Sequence, residues 1–277
     1  MRLLVTGSRG QLGLALQAAA PALGHELVGF DLPELDITDA AAVREAVAVV
    51  KPGAIVNCAA FTAVDAAEAD EARATAVNGT AVAGLATLAD EVGAVLVQIS
   101  TDYVFDGQSG RPWREDDPTV PLSAYGRSKL AGERAAARAR QHLIVRTAWL
   151  FGQGANFVEA IRKQVEAGKR ELSVVADQLG SPTYAADLAS AILGLLGGGA
   201  RGIVHAVNEG VTTWQGFAAE IVRQLGADVV IRPISTAELG RPAPRPANSV
   251  LDTACLQALL GGPLPPWRDA LGRYLER

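Results

Sequence analysis

The 277 residues are 49% hydrophobic and 20% charged, ordinary globular proportions that argue against a disordered chain. A formal net charge of −5 argues against a general nucleic-acid binder, which presents a basic face. No apolar run reaches the ~18 residues of a membrane helix, and two Cys with three scattered His (His25, His142, His205) leave no zinc-ligand cluster, so no metal is expected. The start of the chain turns glycine-rich too early for a secretory signal, and Cys58 and Cys255 suit a reducing compartment, so a cytoplasmic location is expected.

In chain order, short Val/Ile/Leu-rich runs at 3–6, 27–30, 54–58, 94–99 and 143–147 read as buried strands. Helical patterns separate them at 11–20, 40–50, in a long stretch within 66–92, and at 124–140. This alternation predicts an α/β fold, a Rossmann-type doubly wound parallel sheet with its ligand site at the carboxyl ends of the strands. Beyond about residue 150 the pattern loosens. Helices are expected at 156–167, 184–196 and 213–225, and a further strand at 202–207. Residues 1–150 then form a dinucleotide-binding domain to which 184–208 returns, and 151–277 supply mainly a smaller C-terminal substrate-binding domain. Pro242, Pro244 and Pro246 mark either an extended ordered loop or a flexible lid.

The first strand runs into Gly7-Ser8-Arg9-Gly10-Gln11-Leu12-Gly13, a G-x-x-G-x-x-G turn opening a helix. The first glycine permits the turn, the second lets backbone N–H groups approach a pyrophosphate, and the third allows close helix–sheet packing. The alternative is an ordinary glycine turn in an Ala/Gly-rich chain. Asp31 ends the second strand and can accept from adenosine ribose hydroxyls, favouring NADH, whereas Arg9 can pair with the 2′-phosphate of NADPH. NADPH is the expected cofactor, with NADH also used. Asp36 and Ile37 fall near the adenine if the loop folds back, although Asp36 would serve equally as a helix cap. Ala60, Phe61 and Thr62 follow the third strand and would let a dinucleotide lie against the backbone.

Thr101 follows the fourth strand, and Tyr125 and Lys129, four apart, share a face of the next helix. The Lys129 ammonium should lower the phenol of Tyr125 from about 10 toward neutrality. Such a phenol can give a proton to a carbonyl oxygen as hydride reaches its carbon, with the Thr101 hydroxyl holding that oxygen. The plain alternative is a packed tyrosine beside a solvated lysine.

The glycine turn, Ser100–Asp106 and Tyr125–Lys129 together resemble the extended short-chain dehydrogenase/reductase family, which modifies nucleotide sugars. Within it, Thr62-Ala63-Val64-Asp65, Arg146-Thr147-Ala148-Trp149, Asp177-Gln178-Leu179-Gly180-Ser181 and Arg245-Pro246-Ala247-Asn248-Ser249 carry a narrower resemblance to the dTDP-4-dehydrorhamnose reductases. The resemblance implies reduction of a dTDP-4-keto sugar, the last step of dTDP-L-rhamnose synthesis. It makes Tyr125 the proton donor, Lys129 its partner and a ribose ligand, and Thr101 the carbonyl-binding hydroxyl. It places Gly10, Gln11, Leu12, Asp31, Asp36, Ile37, Ala60, Phe61, Thr62 and Ile99 at the cofactor, and Thr101, Asp102 and Trp149 at the sugar nucleotide. Trp149 would equally suit a core, and Asp102 a turn cap. Asn156 and Arg245 are added as candidates for the diphosphate, although Arg245 would equally be a solvated loop residue. Position 61 departs from the family pattern, since Phe stands where a polar aromatic is common. Family members that bind a divalent cation use surface carboxylates, and no comparable cluster is visible. A monomer or homodimer without nucleic-acid or membrane partners is expected. The competing readings are an epimerase or dehydratase that retains NAD, and a non-catalytic regulatory subunit on the same fold.

Overall fold

The computed structural model describes residues 1–276. Strands β1 (Arg2–Thr6), β2 (Glu26–Phe30), β3 (Ala54–Asn57), β4 (Val95–Thr101) and β5 (His142–Thr147) join Gly202–His205 in a six-stranded sheet. All pairings in it are parallel. From one edge the order is 202–205, β5, β4, β3, β1, β2. The chain therefore leaves β1 toward β2 and returns to β3 on the other side of β1. At such a reversal the flanking helices part, opening a crevice at the carboxyl ends of the strands.

Six helices belong to the first half: α1 (Gln11–Ala19), α2 (Ala40–Val50), α3 (Val64–Ala69), α4 (Glu71–Thr75), α5 (Ala81–Val92) and α6 (Ala124–Ala136). Leu3, Val5, Val56, Val97, Leu143 and Val145 bury one sheet face against α1 and the later helix Ala185–Gly197. Leu4, Ile55, Leu96 and Ile144 bury the other against α2 and α5 and the end of α6. Each fully buried aliphatic side chain is worth about 1.5–3 kcal/mol, so the sheet is fixed from both sides.

The stretch read as one long helix is divided. Asp70 ends α3 and caps α4, accepting from the Arg73 N–H at 3.0 Å. Residues Ala76–Thr80 then make one widened, π-type turn before α5. Asn78-Gly79-Thr80 are weak helix formers in an alanine-rich run, which is the sequence signal for that break.

Beyond β5 a separate aromatic core forms. Phe151, Phe217 and Trp267 pack with Val158, Leu172 and Val174 from helices Phe157–Glu166, Trp214–Gln224 and Trp267–Leu275 and strand Glu171–Val175. That strand and Val230–Ile234 pair in parallel, and the sequence reading found neither. The second contains Pro233, which a two-stranded pair tolerates on its open edge. Leu256 and Leu264 pack into the sheet core instead, so part of the chain beyond 209 returns to the first half. The proline-spaced segment is extended and ordered. Asn248 N–H donates to Gly107 O (3.0 Å), Leu179 N–H to Ala247 O (2.8 Å) and Trp113 N–H to Val250 O (2.8 Å). Residues 241–252 thus form a strap between the loop after β4 and the segment near 179. Among the described residues no helix is long and apolar enough to cross a membrane.

Candidate active site

β1 delivers the glycine turn to the crevice. Gly7 has φ +64°, and a Cβ there would lie 2.5 Å from Ala59 N, in the segment after β3. A Cβ on Gly13 would lie 2.4 Å from Gly7 O, so turn and helix can close only as glycines. Gly10 opens α1 in extended backbone with no side-chain cap. The first N–H groups of α1 are thus left to an external acceptor, as phosphate-binding helix termini leave theirs. The buried Oε1 of Gln11 has no partner among the described residues. Uncapped donors beside a free acceptor fit a dinucleotide's phosphates and hydroxyls.

The end of β2 is more tightly tied than the sequence suggests. Asp31 accepts from the N–H groups of Arg9 and Leu32, each at 2.8 Å. The Arg9 guanidinium donates to Leu32 O at 2.9 Å and forms an exposed ion pair with Glu34. Asp36 is no helix cap. Asp39 caps α2, while Asp36 accepts from the N–H and hydroxyl of Thr38, which hold its carboxyl below the usual range. Ile37 beside it is buried.

The Ala60–Thr62 loop is held by a residue that the sequence reading missed. Phe61 N–H donates to Asn78 Oδ1 at 2.8 Å, and Asn78 Nδ2 donates to Phe61 O (3.0 Å) and to Ser128 Oγ (2.9 Å). The widened turn aims this buried asparagine at the loop, a use in which π-type turns recur. The Phe61 ring, which offers no hydrogen bond, meets the Arg73 guanidinium at 5.9 Å.

Ser123 caps α6, accepting from Gly126 N–H at 3.1 Å, and thereby fixes the turn carrying Tyr125. One turn on, Lys129 Nζ donates to Ile99 O at 2.6 Å. Burial pushes this ammonium down to about 8, opposed mainly by Glu133. The Thr101 hydroxyl donates to Asp102 Oδ1 at 2.9 Å and lies beside the Tyr125 phenol. The expected lowering of the Tyr125 phenol is overturned. Burial, then the charge of Asp102, pushes it upward, because Lys129 is turned to the Ile99 carbonyl. Tyr125 therefore keeps its proton through the neutral range. Asp102 is itself pushed up to about 6 by burial, opposed by the neighbouring side chains of Ser249 in the strap and Thr101. Tyr103, also missed, sets its ring edge-on to Tyr125 with centroids 5.4 Å apart.

On the opposite wall Trp149 is half-buried, with φ +50°, a region non-glycine residues rarely occupy. Its ring stacks on Trp214 at 3.7 Å, and Trp214 Nε1 donates to Gln178 Oε1. Trp149 also packs against the buried cluster of Val104, Phe105, Trp113 and Leu251. Asn156 is a correction. It caps helix Phe157–Glu166 by accepting from Glu159 N–H, and its amide donates to Gly152 O, Gly154 O and the Tyr274 hydroxyl. With its polar atoms occupied, it has little left for a diphosphate. Arg245 is no solvated loop residue. It reaches both carboxylate oxygens of Asp65 on α3 at 3.0 Å and holds that carboxyl below its usual range.

The whole chain, residues 1–277, matches the family described as the RmlD substrate binding domain. It belongs to that family. A dTDP-4-dehydrorhamnose reductase of Streptomyces griseus is 49% identical over 279 residues, covering 98% of this chain and 91% of the relative. Two solved structures of dTDP-4-dehydrorhamnose reductases superpose closely. The Clostridium acetobutylicum ortholog has a TM-score of 0.96 at 41% identity, covering 100% of this chain and 99% of that one. The Bacillus anthracis enzyme, in complex with NADP, has a TM-score of 0.95 at 37% identity, covering 99% and 98%. The doubly wound parallel sheet expected from the sequence is thus the fold of the family.

Proposed function

We propose that this chain reduces the 4-keto group of dTDP-4-dehydro-β-L-rhamnose to give dTDP-L-rhamnose, with NADPH as the preferred reductant and NADH accepted. The observation that carries the proposal is the packing of the Tyr125/Lys129 face of α6 on the end of β4, where Lys129 Nζ reaches the Ile99 carbonyl two residues before Thr101, in a chain of this family. Gly7, Gly10, Gln11, Leu12 and Gly13 would hold the pyrophosphate, Asp31, Asp36 and Ile37 the adenosine end, and Ala60, Phe61, Thr62 and Ile99 the nicotinamide side. Arg9 is the chain's candidate for a 2′-phosphate, because its exposed pair with Glu34 is the kind that exchanges at little cost.

The chemistry that the nicotinamide supplies when bound is a hydride for the carbonyl carbon. The rest is done by the chain's own side chains. Thr101 holds the carbonyl oxygen, Tyr125 gives that oxygen its phenolic proton, and Lys129, whose ammonium is turned to the Ile99 carbonyl, would hold the nicotinamide ribose. Asp102 and Trp149 meet the sugar nucleotide, and Arg245 its diphosphate, so residues 151–183 and much of 209–277 serve as the substrate side. We place the activity in the cytoplasm, on the strength of two cysteines far apart in sequence, which suit a reducing compartment.

The test is Tyr125→Phe, which removes only the proton donor. Cofactor binding, followed by fluorescence titration, should persist while turnover of the dTDP-4-keto sugar falls roughly 10²–10⁴-fold. Turnover near that of the wild type would refute the assignment.

A further inference from the structure

Behind the catalytic residues lies a buried ion pair to which the mechanism assigns no role. Glu133 and Arg146 are 4% and 2% exposed. Glu133 Oε1 accepts from Ser100 Oγ at 2.5 Å and from Arg146 Nε at 2.8 Å, and its Oε2 accepts from Arg146 Nη2 at 2.8 Å. Arg146 also donates to Glu115 O at 3.2 Å and lies over the Phe105 ring. His205 packs against it and stays neutral, pushed down to about 3 by burial and by the guanidinium. Every strong donor and acceptor of the pair is therefore used inside the protein.

The position of the pair gives it meaning. Tyr125, Lys129 and Glu133 stand at successive turns of one face of α6. Against them, consecutive along β4, stand Thr101 beside Tyr125, the Ile99 carbonyl that accepts from Lys129, and Ser100 that donates to Glu133. Arg146 then ties Glu133 to β5. A buried ion pair is a weak source of stability, because desolvation offsets its attraction, and apolar replacements of both partners are often tolerated. Its contribution here is to register.

We propose that Glu133 is a positioning residue for the reduction, bracing the helix that carries Tyr125 and Lys129 against the strand that carries Thr101. The inference rests on the catalytic roles proposed above. Glu133 has a second, electrostatic effect. The titratable groups acting on the buried Lys129 are Glu133 from its own helix and the Cys58 thiol from the end of β3, and Glu133 is the larger influence. It favours the ammonium form, which makes the bond to the Ile99 carbonyl.

The experiment compares Glu133→Gln, the charge-free pair Glu133→Gln/Arg146→Met, and Ser100→Ala with the wild type and with Tyr125→Phe. Ser100→Ala deletes one hydrogen bond, removes no charge, and folds even where an unpaired Arg146 does not. The pH profile of kcat/KM between pH 6 and 10 is read together with the separate kcat and KM values. In the Gln-containing variants that fold, kcat should fall at least tenfold and KM change less than threefold. Their alkaline limb should move down by about one pH unit, since loss of the carboxylate lets Lys129 deprotonate earlier. Ser100→Ala should lower kcat three- to tenfold with an unmoved limb. Wild-type kcat in Ser100→Ala, or a folded charge-free pair with wild-type kcat and limb, would overturn the proposal. If Tyr125→Phe itself retains turnover, the underlying catalytic reading has failed instead.

Discussion

The two walls of the crevice are made of different material. The wall proposed for the cofactor is largely backbone: the Gly7–Gly13 turn, the Phe61 peptide clamped by Asn78, and the Ile99 carbonyl that receives Lys129. The wall proposed for the substrate is largely side chain: the Trp149–Trp214 stack and the Arg245–Asp65 pair on the strap. A backbone wall tolerates almost no change in residue size, because an added atom meets a main chain that cannot turn aside. A side-chain wall can be altered in graded steps. Substitutions on the first should therefore act all-or-none, and those on the second should rescale binding.

The largest effect should come from Gly7→Ala. Its Cβ would stand 2.5 Å from Ala59 N in a backbone conformation that alanine disfavours. We expect roughly 2–4 kcal/mol of destabilisation in urea melts, together with loss of measurable dinucleotide binding. A stable variant that binds NADPH normally would break the contrast between the walls.

Arg245→Ala should be graded. Loss of one charge-assisted contact is worth ~1.5–3 kcal/mol, so the sugar-nucleotide KM should rise about 10–100-fold with NADPH affinity unchanged. Asp65→Asn sharpens this, because it frees the guanidinium without removing it. KM there should stay within about threefold of the wild type, whereas equal damage from both variants would show that the pair only latches the strap.

Asp102 gives the pH dependence. Its folded value, about 6, lies above the ordinary 3.8, so the folded chain binds the extra proton. The stability this group contributes is present below about pH 4 and is lost as pH rises through about 6. Asp102→Asn should abolish that decline and leave the protein roughly 1–3 kcal/mol more stable at pH 7. Thermal melts at pH 4, 5, 6 and 7 provide the check, and parallel curves for both proteins would contradict it.

The smallest effect should belong to Asn156→Ala. Losing a helix cap costs about 1 kcal/mol, and the sugar-nucleotide KM should not move. A raised KM would return Asn156 to the substrate wall.

The same contrast explains what was legible in the sequence. The sheet, the glycine turn, and Thr101, Tyr125 and Lys129 are written as local patterns: apolar runs, fixed spacings, and residues following predicted strands. Asn78 was illegible because its partner Phe61 is reached only through a turn that departs from helical period. The roles of Asn156 and Arg245 turn on which partners the folded chain brings to them, Tyr274 and Asp65, far away in sequence. The direction of the Tyr125 shift also depended on the fold, since spacing shows that Lys129 shares its face but not that the ammonium is occupied elsewhere.

The widened turn at Ala76–Thr80 makes chain length, as well as residue type, a determinant of this site. An α-helix rotates about 100° per residue. Deleting Ala76 or Val77 from that turn would let α4 run unbroken into α5, a local gain in regularity. Yet the deletion would swing Asn78 away from the Phe61 loop, even with every named side chain still in the gene. A single-codon deletion that a composition-based comparison would pass as harmless should therefore release the cofactor loop, while five substitutions on the outer face of α5 would leave it in place.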